Sequence, residues 1–247
     1  MEKRVRLQKY LADSGITSRR GGEKLILEGS VAVNGKLITK LGTTVNPEKD
    51  TVTVNGKRVL PSSKVYYLFY KPRGYTVTLD KNAEKGIFQF LKEIPERLIP
   101  VKGLDKSAEG LLLLTNDGEV ANLLNRPFNS LSSVYRILVV PKTSSQILRE
   151  IEKEGAWCSD GKLTVKNLRL LRSEANGSWL EVTTPPDEVK NHLRRLFAKY
   201  NFKVKRQIRV KLGHLSDKRI PVGAFRPLSD SEIASLKNRE PCDVSSR

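Results

Sequence analysis

Gly110-Leu-Leu-Leu-Leu-Thr-Asn-Asp-Gly118 constrains the fold more than any other stretch of the chain. Four consecutive leucines have no polar side, so residues 111–114 need apolar cover in every direction. A short apolar run that ends in turn residues reads as an interior strand. The turn falls at residues 116–118, and a helix is expected to start near Asp117, whose carboxylate suits a helix N-terminus. Upstream, Val101-Lys-Gly-Leu-Asp105 reads as a loop. A carboxylate just before a buried strand sits at the rim of a core. There it can cap a turn or do chemistry, and composition alone leans to the cap.

Composition sets the class of partner. The chain has 247 residues, enough for one large or two modest domains. Lysine and arginine number 45 against 27 acidic residues, a formal charge of +18. Apolar residues make up 38%, so global disorder is not expected. Cys158 and Cys242 cannot build a disulfide framework, which fits a reduced cytoplasmic protein. His192 and His214 are the only histidines; with the cysteines they show no metal-ligand spacing and no triad motif. The longest purely apolar or aromatic stretch, 65–70, is far too short to span a bilayer. No signal peptide is expected, because Met-Glu-Lys-Arg runs straight into an amphipathic pattern. A basic, soluble, intracellular protein points to a polyanionic partner, with nucleic acid first.

The charge is spread along the chain. Residues 1–63 hold twelve basic and six acidic side chains. Residues 190–211 hold nine basic side chains and no acidic one, as a phosphate-facing surface would. His192 lies in that run and is expected to face solvent or RNA. In the first 60 residues, Leu7, Tyr10, Leu11 and Ser14 recur at helical spacing until Gly15. A second helix is expected from a cap at Thr17–Ser18 to Gly29. Gly21 and Gly22 inside it cost about 1 kcal/mol each relative to alanine, so outside contacts or RNA must hold it. Val31-Ala-Val-Asn-Gly-Lys and Val52-Thr-Val-Asn-Gly-Lys each run from alternating β-formers into a hairpin turn.

These strings resemble the S4-like RNA-binding domain: Leu7-Gln-Lys-Tyr-Leu-Ala-Asp-Ser-Gly-Ile-Thr-Ser-Arg-Arg, then Leu-Ile-Leu-Glu-Gly-Ser-Val-Ala-Val-Asn-Gly-Lys. By position, Lys9, Arg19, Arg20, Lys24 and Lys36 are the expected phosphate contacts. Such a domain reads RNA shape and backbone more than base sequence. The linker Pro61-Ser-Ser-Lys64 follows, and Val65-Tyr-Tyr-Leu-Phe-Tyr opens a second module, expected over residues 65–238 with a tail at 239–247.

That module resembles the rRNA pseudouridine synthases of the RsuA/RluB type. The likeness rests on a loop aspartate before Gly-Leu-Leu-Leu-Leu-Thr-Asn-Asp-Gly and on the turn Lys71-Pro-Arg-Gly. It rests also on the strand containing Tyr135, on Arg194-Arg195-Leu-Phe, on Ile208-Arg-Val-Lys-Leu-Gly and on Pro221-Val-Gly-Ala-Phe-Arg-Pro. The resemblance implies an α+β chain: a small S4-like module, then a domain with a mixed, mostly antiparallel sheet flanked by helices. It implies uridine-to-pseudouridine isomerisation in ribosomal RNA without cofactor or metal. Asp105 is the implied catalytic carboxylate. Tyr135 is implied against the flipped base, a candidate for the last proton abstraction, and Arg194 as the cation paired with Asp105. Lys71, Arg73, Lys102, Arg195, Arg209 and Lys211 are expected on RNA. The protein is expected to be a monomer, with no membrane partner. Large-subunit rRNA is slightly favoured by the continuation Glu119-Val-Ala-Asn-Leu-Leu-Asn-Arg-Pro.

Several positions depart from the family pattern. Gly103 stands where an arginine is usual, with Lys102 in place of glycine. Ala108 replaces a threonine, Ser133 a lysine, and Gln207 an apolar residue under the base. The residues before Arg194 are also altered. These changes motivate a rival reading, an RNA-binding ribosome-assembly factor of impaired catalysis on the same fold. A structural ribosomal protein is less consistent with the intact leucine string.

Overall fold

The computed structural model describes residues 4–80, 82–126, 131–189, 191–216 and 219–238. Lys190 and the expected tail at 239–247 lie outside them. The chain forms two compact units: Met1–Val65 with Glu93–Ile99 and Thr115–Gly118, and Tyr66–Lys92 with Pro100–Leu114 and Glu119–Arg247.

In the first unit, helices Leu7–Asp13 and Arg19–Leu27 cover a four-stranded antiparallel sheet. Its order is Lys36–Leu37, Val31–Val33, Val52–Val54, Lys57–Arg58. Leu7, Leu11, Ile26, Val31, Val45 and Val52 form its core. Ser18 caps the second helix, its hydroxyl accepting from the Gly21 amide at 3.0 Å. Gly22 explains itself by packing, since a Cβ there would lie 3.3 Å from the Gln8 Cα of the first helix. Asn34, Gly35, Asn55 and Gly56 all have φ between 50° and 79°, so both hairpins turn through two left-handed residues as expected. The linker is fixed by the end of the leucine string. Asn116 accepts from the Val65 amide at 2.8 Å and donates to the Ser63 carbonyl at 2.7 Å.

The second unit is built on a sheet whose main path runs Lys166–Ser173, Ser178–Thr184, Ser133–Val140, Lys203–Leu212, Glu109–Thr115, Tyr66–Lys71, Phe225–Pro227. The strand Ser133–Val140 pairs antiparallel with both its neighbours, while Lys203–Leu212 pairs parallel with Glu109–Thr115. The leucine strand is buried along its whole length. Helices Ser145–Glu154 and His192–Lys199 pack on one face of the sheet against Ile137, Val139, Leu180, Val182 and Val204. His192 does not face solvent: it is 4% exposed, and its Nε2 lies 2.8 Å from the Thr164 carbonyl oxygen. It opens a helix whose next turn enters the core through Leu193 and Leu196.

Alternation along Ser133–Val140 puts Tyr135 on that helix-covered face. Register sets Arg209 opposite Tyr135 and Gln207 opposite Ile137, so these four side chains share it. At Gly110 the parallel pair leaves no room for a side chain. Its φ is +108°, and a Cβ would sit 2.3 Å from the Arg209 carbonyl oxygen.

Candidate active site

Asp105 lies on the loop between the strands Ile99–Val101 and Glu109–Thr115. The loop borders a cavity of about 360 Å³, lined also by Lys102, Tyr135, Glu188, Gln207 and Arg209. The Asp105 carboxylate has no hydrogen bond or ion pair among the described residues, so both its oxygens remain available.

Two buried cations hold the loop in place. Lys71 is 0% exposed, and its ammonium donates to the carbonyls of Ala108 at 2.7 Å, Pro72 at 3.1 Å and Lys106 at 3.5 Å. That uses all three of its protons. Arg209 is 1% exposed; its Nε donates to the Leu111 carbonyl at 2.7 Å and its Nη2 to that of Lys102 at 2.6 Å. The two together grip the loop at residues 102, 106 and 108 and the strand at 111. Both were expected on RNA; both side chains are buried, and Arg209 also lines the cavity. They are internal braces.

Burial drives the Lys71 ammonium down to about 8, against the opposing pull of Asp105 and Glu109. Below pH 8 the lysine is charged in both folded and unfolded chains, and the full cost of burying that charge is present. Between about 8 and 10.5 the folded protein gives up the proton first, so it binds fewer protons than the unfolded chain and stability rises with pH. Lys71→Met should lose this rise. Urea unfolding at several pH values is expected to show wild type gaining about 3 kcal/mol on the variant between pH 7.5 and 10.5. A constant difference would show that Lys71 does not titrate early.

Across the cavity, the Tyr135 hydroxyl donates to Glu188 Oε2 at 3.1 Å, and Thr184 donates to the same oxygen at 2.9 Å. Burial and the Glu188 charge both push the phenol far above its ordinary range, so Tyr135 keeps its proton near neutrality. Glu188 was not singled out from the sequence. Lys102 adopts φ 51°, and its Nζ donates to the Pro186 carbonyl beside Glu188. Burial lowers its affinity for a proton, and Glu188 restores part of it. Arg194 forms no ion pair with Asp105. Its Nη1 donates to the Val204 carbonyl at 2.6 Å, while Nε and Nη2 are buried without partners. The side chain reaches from its helix toward the neighbouring strand, yet stays close enough for the Asp105 charge to offset part of its burial cost.

Residues 65–199 match the sequence profile of a family described as RNA pseudouridylate synthase. The chain belongs to that family. Residues 5–51 match the S4 domain. An uncharacterized RNA pseudouridine synthase of Aquifex aeolicus is 41% identical over 235 residues, 94% of this chain and 93% of that protein. The ribosomal large subunit pseudouridine synthase B of Bacillus subtilis is 36% identical over 234 residues, 94% and 95% of the two chains. Among solved structures, a pseudouridylate synthase superposes with a TM-score of 0.63 at 23% identity, covering 94% of this chain and 99% of that one, which shows the shared fold.

In this pseudouridine synthase the remaining expected RNA contacts divide by exposure. Arg19, Arg20, Lys24 and Lys36 are exposed on the S4 domain, and Lys9 ion-pairs with Asp13 at 2.8 Å. Lys211 and Arg73 are exposed on the synthase domain, with Arg73 also donating to the Lys205 carbonyl at 3.1 Å. Arg195 forks onto both oxygens of Asp160, holding that carboxyl down to about 2, so its charge is already neutralised by a neighbour. The departures from the family pattern leave the loop braces whole. A Cβ on Gly103 would meet nothing within 4 Å. Buried Ala108 supplies a carbonyl to Lys71, and Ser133 is buried in its strand. Among the described residues no helix is long and apolar enough to cross a membrane.

Proposed function

We propose that the protein converts a specific uridine of ribosomal RNA to pseudouridine, with Asp105 as the catalytic carboxylate. The observation that carries this reading is an unpaired carboxylate on a doubly braced loop, facing a cavity closed by Tyr135 and Glu188. The target uridine leaves its stack, at a cost of a few kcal/mol, and enters the cavity. Asp105 attacks the base or the sugar C1′, and the N1–C1′ bond breaks. The uracil turns, a C5–C1′ bond forms, and the bond to Asp105 breaks with its electron pair returning to the carboxylate. N1, which kept the pair of the glycosidic bond, is protonated through solvent, balancing the proton lost from C5. The C5 proton must then leave. A protonated phenol cannot take it alone, but Tyr135 can pass its own proton to Glu188 as it accepts the one from C5. The unpartnered Nε and Nη2 of Arg194 are available to close an ion pair with Asp105 when substrate excludes water.

Large-subunit rRNA is the favoured substrate, supported by likeness to the Bacillus subtilis large-subunit enzyme. The exposed cations of the S4 domain would grip folded RNA, placing the synthase domain on one uridine. The reading places the protein in the cytoplasm and assigns the S4 role to residues 1–60 and the chemistry to 65–238.

Chemical mapping of pseudouridine in rRNA from wild-type and deletion strains tests this. One large-subunit pseudouridine is expected to vanish and to return with the wild-type gene. If every rRNA pseudouridine survives the deletion, the reading fails.

A further inference from the structure

Gln207 is 5% exposed, lines the cavity, and has its Oε1 buried without a hydrogen-bond partner. A buried acceptor left unpaired costs stability, and a leucine of similar size at that position would avoid the cost. Its place on the strand is not incidental. Gln207 faces inward from Lys203–Leu212, two residues before Arg209, which lies opposite Tyr135. The orphan oxygen is therefore held on the same face as Tyr135.

We propose that Gln207 Oε1 accepts the N3–H of the target uracil and holds it as a pivot while the base turns. The inference rests on the function proposed above. Its chemistry follows from the ring itself. Uracil offers one ring N–H at its pairing edge, at N3, between the acceptors O2 and O4. To exchange N1 for C5 at the sugar, the detached base must rotate by half a turn about the line through N3 and C6. That rotation swaps O2 with O4 and N1 with C5, but it leaves N3 and its proton where they were. A partner at O2 or O4 would have to release and rebind. An acceptor at N3–H keeps one bond throughout, and it retains the base while no covalent bond joins it to the sugar. The orphan in the empty cavity is then a site made for a donor that arrives with the substrate.

Two measurements test the pivot. Release of tritium from [5-³H]uridine-labelled large-subunit rRNA transcripts gives kcat and KM for wild type and Gln207→Leu. The variant should lose about 10- to 100-fold in kcat/KM, as for a hydrogen bond held from the bound uridine through the transition state. Its thermal midpoint should rise, because an unpaired buried amide has gone. Unchanged kcat/KM, or a midpoint that falls with kcat/KM as for a packing residue, would overturn the proposal. Separately, the side-chain amide signal of Gln207 in ¹⁵N-glutamine-labelled wild type, assigned by its loss in Gln207→Leu, should shift with millimolar uridine 5′-monophosphate. It should not shift with 3-methyluridine 5′-monophosphate, which lacks the donor. An equal response to both nucleotides, or to neither, also overturns it. If wild type releases no tritium from any rRNA, the function above is what fails, and the nucleotide titration still decides Gln207.

Discussion

Asp105→Asn is expected to lower tritium release from labelled rRNA by at least about a thousandfold while leaving RNA affinity and folding almost unchanged. The reason is a separation of duties within the loop. Its position is set by Lys71 and Arg209, which bind main-chain carbonyls and form no hydrogen bond with the Asp105 carboxylate. Asparagine has the same shape, so the loop should stay where it is. What disappears is the negative charge and, on the proposed mechanism, the nucleophilic oxygen. The exposed cations of the S4 domain lie in the other unit, so binding should persist, with affinity still falling steeply with salt. Filter binding and circular dichroism beside the release assay separate these effects. Product formed by the variant at more than about a hundredth of the wild-type rate would remove Asp105 from the chemistry.

Gly110→Ala should produce the largest loss of stability, about 3–5 kcal/mol. Two independent costs add. A φ of +108° is one that a residue with a side chain rarely adopts. The new methyl would also meet the Arg209 carbonyl oxygen at 2.3 Å and its amide nitrogen at 2.7 Å. Those atoms are backbone within a sheet, so they can yield only by moving the strand. Arg209 would move with them, freeing the Lys102 and Leu111 carbonyls. Activity should therefore fall further than the unfolded fraction explains. A urea midpoint like that of wild type would show that the strands part at little cost.

What could be read from the sequence was what the sequence specifies locally. Ser18 caps its helix, both Asn-Gly turns have left-handed residues, and the leucine run is an interior strand because each depends on neighbours a few residues away. The bracing role of Lys71 and Arg209 was not legible, for the opposite reason. A cation in a basic chain reads as surface, and nothing beside it in sequence announces the carbonyls that bury it. Arg194 fell in the right region, but its hydrogen bond to Val204 is decided by how a helix lies on a strand. Glu188 carried no distinguishing local pattern, and its meaning appears only when Tyr135 and Thr184 converge on one oxygen. Gln207 was visible as an odd residue, though its unpaired acceptor was not.

The braces of the Asp105 loop also set a schedule. The two hydrogen bonds from Arg209 span 98 and 107 residues. Contacts between positions so far apart are entropically slow to close and come late in folding. During synthesis the aspartate emerges long before the arginine that fixes its loop, while the first unit can begin to form from its own local helices and hairpins. A nascent chain would thus be able to hold RNA before it can alter a base. The chemistry would be withheld until most of the polypeptide has been made.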